Sequence, residues 1–179
     1  MLEFRVLGEF EVVRDSVAVT LPPSRKTRAL LAYLALTQRK HRREELCQIF
    51  WEVPDDPRGA LRWSLSKIRP FVDDPSYPRL VADRQTVELR TEGLDIDLFA
   101  AQGCAAAEDH GTDDFARAAS LFRGPLLADL DLTANAHSTT FSVARGRRLV
   151  WKRCLASIPS LVGIATGANP VSFRNPGLA

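Results

Sequence analysis

Between Arg58 and Arg69 the sequence offers Arg58, Arg62, Trp63, Ser66, Lys67 and Arg69, and no carboxylate. On a helix turning about 100° per residue, Leu61, Leu65 and Ile68 form one narrow apolar face. Gly59, Arg62, Trp63, Ser66 and Lys67 lie on the other side, with Arg58 and Arg69 flanking the seam. Arg and Lys donate hydrogen bonds and accept none, so such a face can reach guanine O6 and N7 or phosphate oxygens in a DNA major groove. A solvated helix face usually mixes both charge signs. Trp63 keeps two readings, an exposed groove residue or a ring packed on a neighbouring strand.

That helix needs a scaffold, and the flanking sequence supplies one. Leu2, Phe4 and Val6 alternate with Glu3 and Arg5, and Phe10 and Val12 alternate with Glu9 and Glu11. Val17, Val19 and Leu21 follow, and Gly8 and Asp15-Ser16 are natural turn points, so residues 2–21 predict a small antiparallel meander. Pro22-Pro23 ends it, and Ser24 is a suitable cap for a helix from Arg25. Thr27, Leu30, Leu31 and Leu34 share one face of that helix, which the polar run Thr37 to His41 ends. A second helix is expected over about residues 42–51, with Leu46, Ile49 and Phe50 on one face. The third is expected from Pro57 to Arg69, capped by Asp56 and stopped at Pro70. Arg79 to Ala82 and Thr86 to Arg90 then read as a hairpin around Asp83-Arg84-Gln85, a wing whose tip holds Arg84. Arg84 reads equally as a DNA contact or as a plain turn residue.

Other chemistries find no constellation. His41, His110 and His137 stand alone, without metal-ligand spacing. Glu108-Asp109-His110 and Asp113-Asp114 read as a solvated turn rather than a metal site. No GxSxG, Walker A or GxGxxG pattern occurs. An enzyme, a cofactor and a bound metal are therefore not expected. Cys47, Cys104 and Cys154 are odd in number and lack CxxC spacing, which fits a reducing compartment. No apolar run is long enough to span a membrane, and Glu3 and Arg5 interrupt any secretory core, so a cytoplasmic protein is expected.

The 179 residues carry a net charge of +2. That small value is a cancellation: residues 21–70 hold 11 basic and 5 acidic side chains, 91–140 hold 2 and 9, and 141–179 hold 6 and none. Segregation of this kind suggests two units with different partners. The basic cluster Arg145-Gly146-Arg147-Arg148 with Lys152-Arg153 reads best as a solvated face or an intramolecular contact for the acidic segment.

Three stretches share an order and spacing with a known family. They are Pro23 to Leu36, Arg42-Arg43-Glu44-Glu45-Leu46 with Phe50-Trp51, and Ala60 to Arg69. Together with the flanking strands they resemble the OmpR-like winged-helix domain of SARP-type bacterial transcriptional activators. Asp95 to Phe99, Phe115 to Leu127 and Arg145 to Leu155 resemble parts of the TPR-like bacterial transcriptional activation domain that follows it. Trp151, Leu155, Ile158 and Val162 fall on one helical stripe.

The resemblance implies an α+β winged helix-turn-helix over 1–91, built from an N-terminal antiparallel sheet, three helices and a C-terminal hairpin wing. It also implies an all-α TPR-like segment over 92–165 that reads as truncated, and an irregular tail over 166–179. Arg58, Arg62, Trp63, Ser66, Lys67 and Arg69 would enter the major groove, and Arg25, Lys26, Arg43 and Arg84 would meet phosphates. Glu52 to Pro57 would face RNA polymerase. The implied partner is double-stranded promoter DNA, as direct repeats, with a homodimer on tandem sites. The implied function is sequence-specific transcriptional regulation, with activation expected. The alternative is a protein-interaction module whose helical segment docks a partner and whose winged helix has lost DNA.

Overall fold

The computed structural model describes residues 1–51, 56–74, 76–106 and 112–130. Most of the turn expected to face polymerase, the helix over 145–155 and the tail over 166–179 lie outside them.

The alternation at the N-terminus produces β1 (Leu2–Arg5), β2 (Glu11–Arg14) and β3 (Val17–Val19). Phe4 and Val12 pair across the first two strands and are both fully buried. Asp15 and Ser16 both take positive φ, 50° and 66°, as a two-residue type I′ hairpin turn requires. The sheet order is β3-β2-β1-β7, and β7 (Leu94–Ile96) runs parallel to β1. The N-terminal sheet is therefore mixed, which corrects the purely antiparallel expectation. Three residues are too few to display a period, but burial of Ile96 beside Phe4 draws them into the sheet.

Helix α1 (Arg25–Thr37) is capped by Ser24, whose hydroxyl accepts from Thr27 N at 3.3 Å. Every residue from Ala29 to Leu36 is buried, so this is the central helix of the core. Helix α2 (Arg43–Phe50) buries Leu46, Cys47 and Phe50. Helix α3 (Pro57–Val72) starts on the Asp56 carboxylate, which accepts from Gly59 N at 2.7 Å. It buries Leu61, Ser64, Leu65, Ile68 and Val72. It does not stop at Pro70 as expected. So near the helix end Pro70 forfeits a single helical bond, and burial of Val72 compensates. Arg14 secures this end by donating to the carbonyls of Phe71 (2.9 Å) and Asp73 (3.3 Å).

The hairpin forms from β5 (Leu80–Ala82) and β6 (Thr86–Leu89), with Leu80, Val87 and Leu89 buried. A further two-residue strand, β4 (His41–Arg42), pairs with β6 and makes a three-stranded sheet. His41 is thus a fully buried strand residue and not the end of a polar run. Its Nε2 lies 2.7 Å from Thr37 Oγ1, and its ring is 4.8 Å from that of Tyr33.

Helices α4 (Asp97–Ala106) and α5 (Thr112–Leu121) come next, and the chain then returns to the residues that follow the first strand. Arg123 N donates to Leu7 O, Leu127 N to Val6 O and Ala128 N to Gly8 O, each at 2.9 Å. Gly8 has φ 138°, and a Cβ there would sit 3.0 Å from Arg123 Cβ, so the close crossing needs glycine. The buried Asp97 carboxylate accepts from Val6 N (2.8 Å) and Leu7 N (3.1 Å). Burial pushes its pKa up against those two bonds. Ile96, Leu98, Ala101, Leu127 and Leu130 share the core of the first half, so β7, the start of α4 and the returning residues 127–130 pack with it.

Candidate nucleic-acid interface

The apolar spacing of α3 fixes which way its other side chains face. With Leu61, Leu65, Ile68 and Val72 against the core, Arg58, Arg62, Trp63, Ser66, Lys67 and Arg69 are all exposed. Trp63 is 51% exposed, which removes the strand-packing reading of that ring. Lys67 Nζ sits 5.6 Å from the indole centroid, a cation–π distance. Ser66 Oγ donates to the Trp63 carbonyl at 2.7 Å, so its proton serves the helix backbone.

Carboxylates absent from the helix face arrive from α2 and from the two caps of α3. Arg58 meets Glu44 of α2 at 3.0 Å, Arg62 meets Asp56 at 4.0 Å and Arg69 meets Asp73 at 3.3 Å. Arg58 and Glu44 are 73% and 61% exposed, so a pair of this kind is worth at most about 1 kcal/mol and exchanges readily for another anion.

The N-terminus of α1 abuts the middle of α3. Thr27 Oγ1 and Ser64 Oγ lie 3.0 Å apart, both buried. Arg25 and Lys26, just before Thr27, are exposed at this helix start, where backbone N–H groups and the helix dipole also favour anions. No acidic residue occupies the first turn.

The wing turn is knotted by Asp83. Its carboxylate accepts from Gln85 N, Thr86 N and Thr86 Oγ1 at 2.6–2.7 Å. Those bonds, led by the Thr86 hydroxyl, bring its pKa down to about 2. Arg84 projects beside it, exposed and with no ion pair among the described residues. Arg43 is half-buried: its Nε donates to Asp83 O (2.7 Å) and its N to Gln85 O (2.8 Å). Arg42, outside the expected contact set although it adjoins Arg43, is exposed at the cap position of α2 and in β4 pairs with Thr86 of β6. Helix α3 thus touches the start of α1 through Thr27 and α2 through Glu44, and α2 in turn holds the wing through Arg43.

Among the described residues no group of His, Cys, Asp and Glu could hold a metal, and no helix is long and apolar enough to cross a membrane. Cys47 and Cys104 are free thiols, and burial raises the pKa of Cys47. No family model matches the sequence, and no curated protein does. Among solved structures, EmbR of Mycobacterium tuberculosis, determined in complex with a low-affinity phosphopeptide, superposes with a TM-score of 0.62 and 21% identity. The match covers 88% of this chain and 42% of that one, so this chain spans under half of that protein's length. At that identity the likeness is one of fold: the described residues adopt the EmbR-type arrangement of sheet, helices and wing.

Proposed function

We propose that this chain is a sequence-specific, DNA-binding transcriptional regulator of the SARP type, acting in the cytoplasm as an activator. On this reading α3 lies in the major groove with Arg58, Arg62, Trp63, Ser66, Lys67 and Arg69, while Arg25, Lys26, Arg43 and Arg84 meet the backbone. Residues 1–91 carry DNA recognition, residues 92–165 a TPR-like effector segment, and 166–179 a tail. Two copies occupy direct repeats, and the Glu52 to Pro57 turn is presented to RNA polymerase. The fold shared with EmbR supports the reading.

The observation that carries it is the outward surface of α3, exposed from Arg58 to Arg69 and without a carboxylate of its own. Fluorescence anisotropy with duplexes recovered by selection from random sequence, set against scrambled duplexes at 50 and 200 mM salt, tests it. Six to ten phosphate contacts predict a loss of about 10³–10⁵ in affinity across that range. A salt-insensitive signal with no sequence preference refutes it.

A further inference from the structure

We propose that Trp63 is a specificity-determining residue that reads the C5-methyl group of thymine in the major groove. The inference rests on the DNA reading of α3. At about 100° per residue, the direction opposite the Leu61, Leu65, Ile68 and Val72 stripe is occupied by Gly59, Trp63, Ser66, Lys67 and Pro70. Arg58, Arg62 and Arg69 fall within about 40° of one another on a single flank, nearer the core. The side chains that advance furthest from the domain are therefore Trp63 and Lys67.

These two differ from the flank in chemistry. Each flank arginine has an acidic partner, Glu44, Asp56 or Asp73, and is placed to exchange it for a phosphate or a base edge at the groove wall. The Ser66 proton is committed to the Trp63 carbonyl. The centre of the face presents an indole, half exposed, with the Lys67 ammonium against its ring. An indole has one N–H donor and a broad apolar surface. Pressed against a G·C or C·G edge, it would strip water from donors and acceptors without replacing their hydrogen bonds. Thymine alone among the four bases offers an apolar group in the major groove, its C5-methyl. Lys67, held beside the ring, adds a donor for an adjacent acceptor such as thymine O4 or purine N7.

The test uses the full chain and a duplex recovered by selection from random sequence. That duplex is resynthesised with each dT replaced singly by deoxyuridine, which lacks only the methyl. Affinity is expected to fall about fourfold at one dT position per half-site, the worth of one buried methyl group, and to be unchanged elsewhere. Trp63→Ala is expected to bind the dT duplex about fourfold more weakly, down to the level of the deoxyuridine version, and to bind the two equally, and Trp63→Phe to restore part of the difference. Equal affinity of the unaltered chain for every deoxyuridine duplex overturns the proposal, as does a dT preference that survives Trp63→Ala. Absence of any salt-dependent duplex binding by the unaltered chain overturns the DNA reading itself, and this proposal with it.

Discussion

The hydroxyls of Thr27 and Ser64 lie 3.0 Å apart in the core, and they join the first turn of α1 to the middle of α3. Each is at most 2% exposed, so water cannot take the place of a missing partner. Thr27→Val keeps the shape and leaves the Ser64 hydroxyl alone. The expected loss is roughly 1–3 kcal/mol in urea unfolding. Thr27→Val combined with Ser64→Ala is expected to lose less than the two single changes added together. Strict additivity would show that the pair is not coupled.

Asp56 starts α3, and Gly59 makes room for it. A Cβ on residue 59 would collide with the Asp56 carboxylate, so Gly59→Ala displaces the cap. Asp56→Ala is expected to cost about 1 kcal/mol. Gly59→Ala gains about 0.5–1 kcal/mol of helix propensity against the lost cap and should be nearly neutral, and the double variant should be more stable than Asp56→Ala alone. Chemical denaturation of the three variants checks this.

His41 makes stability depend on pH in a defined window. Its pKa is held below the ordinary 6.5, first by burial and then by the charge of Arg39, with Glu45 acting in the opposite sense. Glu45 Oε2 stands 3.7 Å from Nδ1, too far for a hydrogen bond. The unfolded chain therefore takes up a proton near pH 6.5 that the folded chain resists. Stability from this source is complete above pH 6.5 and declines as pH falls through and below that value. Urea midpoints at pH 7.5 and 5.5 should differ for the unaltered chain. For His41→Gln the difference should shrink, from a lower starting stability.

Asp129 ties the returning segment to the residue before β2 and to α1. Its Oδ1 accepts from Phe10 N at 2.7 Å, and its Oδ2 pairs with Arg28 of α1 at 3.0 Å. Asp129→Ala is expected to cost roughly 1–3 kcal/mol, since it leaves a part-buried N–H and a guanidinium without their acceptor. A chain cut after residue 91 also loses β7 and the cover that Leu127 and Leu130 supply. It should melt below the full chain, and an equal melting temperature would refute the structural role of this segment.

Arg84 at the wing tip carries no sequence-reading geometry, so its replacement should act on all duplexes alike. Arg84→Ala is expected to reduce the slope of log affinity against log salt by about one. An unchanged slope would remove Arg84 from the contact set.

Features set by neighbours along the chain were legible in the sequence. The Asp15-Ser16 turn, the Ser24 and Asp56 caps, the buried stripe of α3 and the hairpin around Asp83 all depend on residues within a few positions of each other. Features set by distant segments were not. Strands β4 and β7 are two and three residues long and acquire strand geometry only by pairing with β6 and β1. Asp97 stands in the Asp95 to Phe99 stretch without any local sign of its role, yet its carboxylate serves backbone groups about ninety positions away. The candidate face shows the same division. Its exposed side chains follow from the period of Leu61, Leu65 and Ile68, and Asp73 meets Arg69 from one turn further along, whereas Glu44, which meets Arg58, comes from α2.

The wing turn is bonded three ways: Asp83 closes it, Arg43 holds two of its carbonyls, and Arg42 pairs with its second strand. Little conformational entropy is left in the hairpin to surrender. A partner meeting this surface encounters a preorganised edge, and complex formation is spared the ordering cost that a floppy loop would impose.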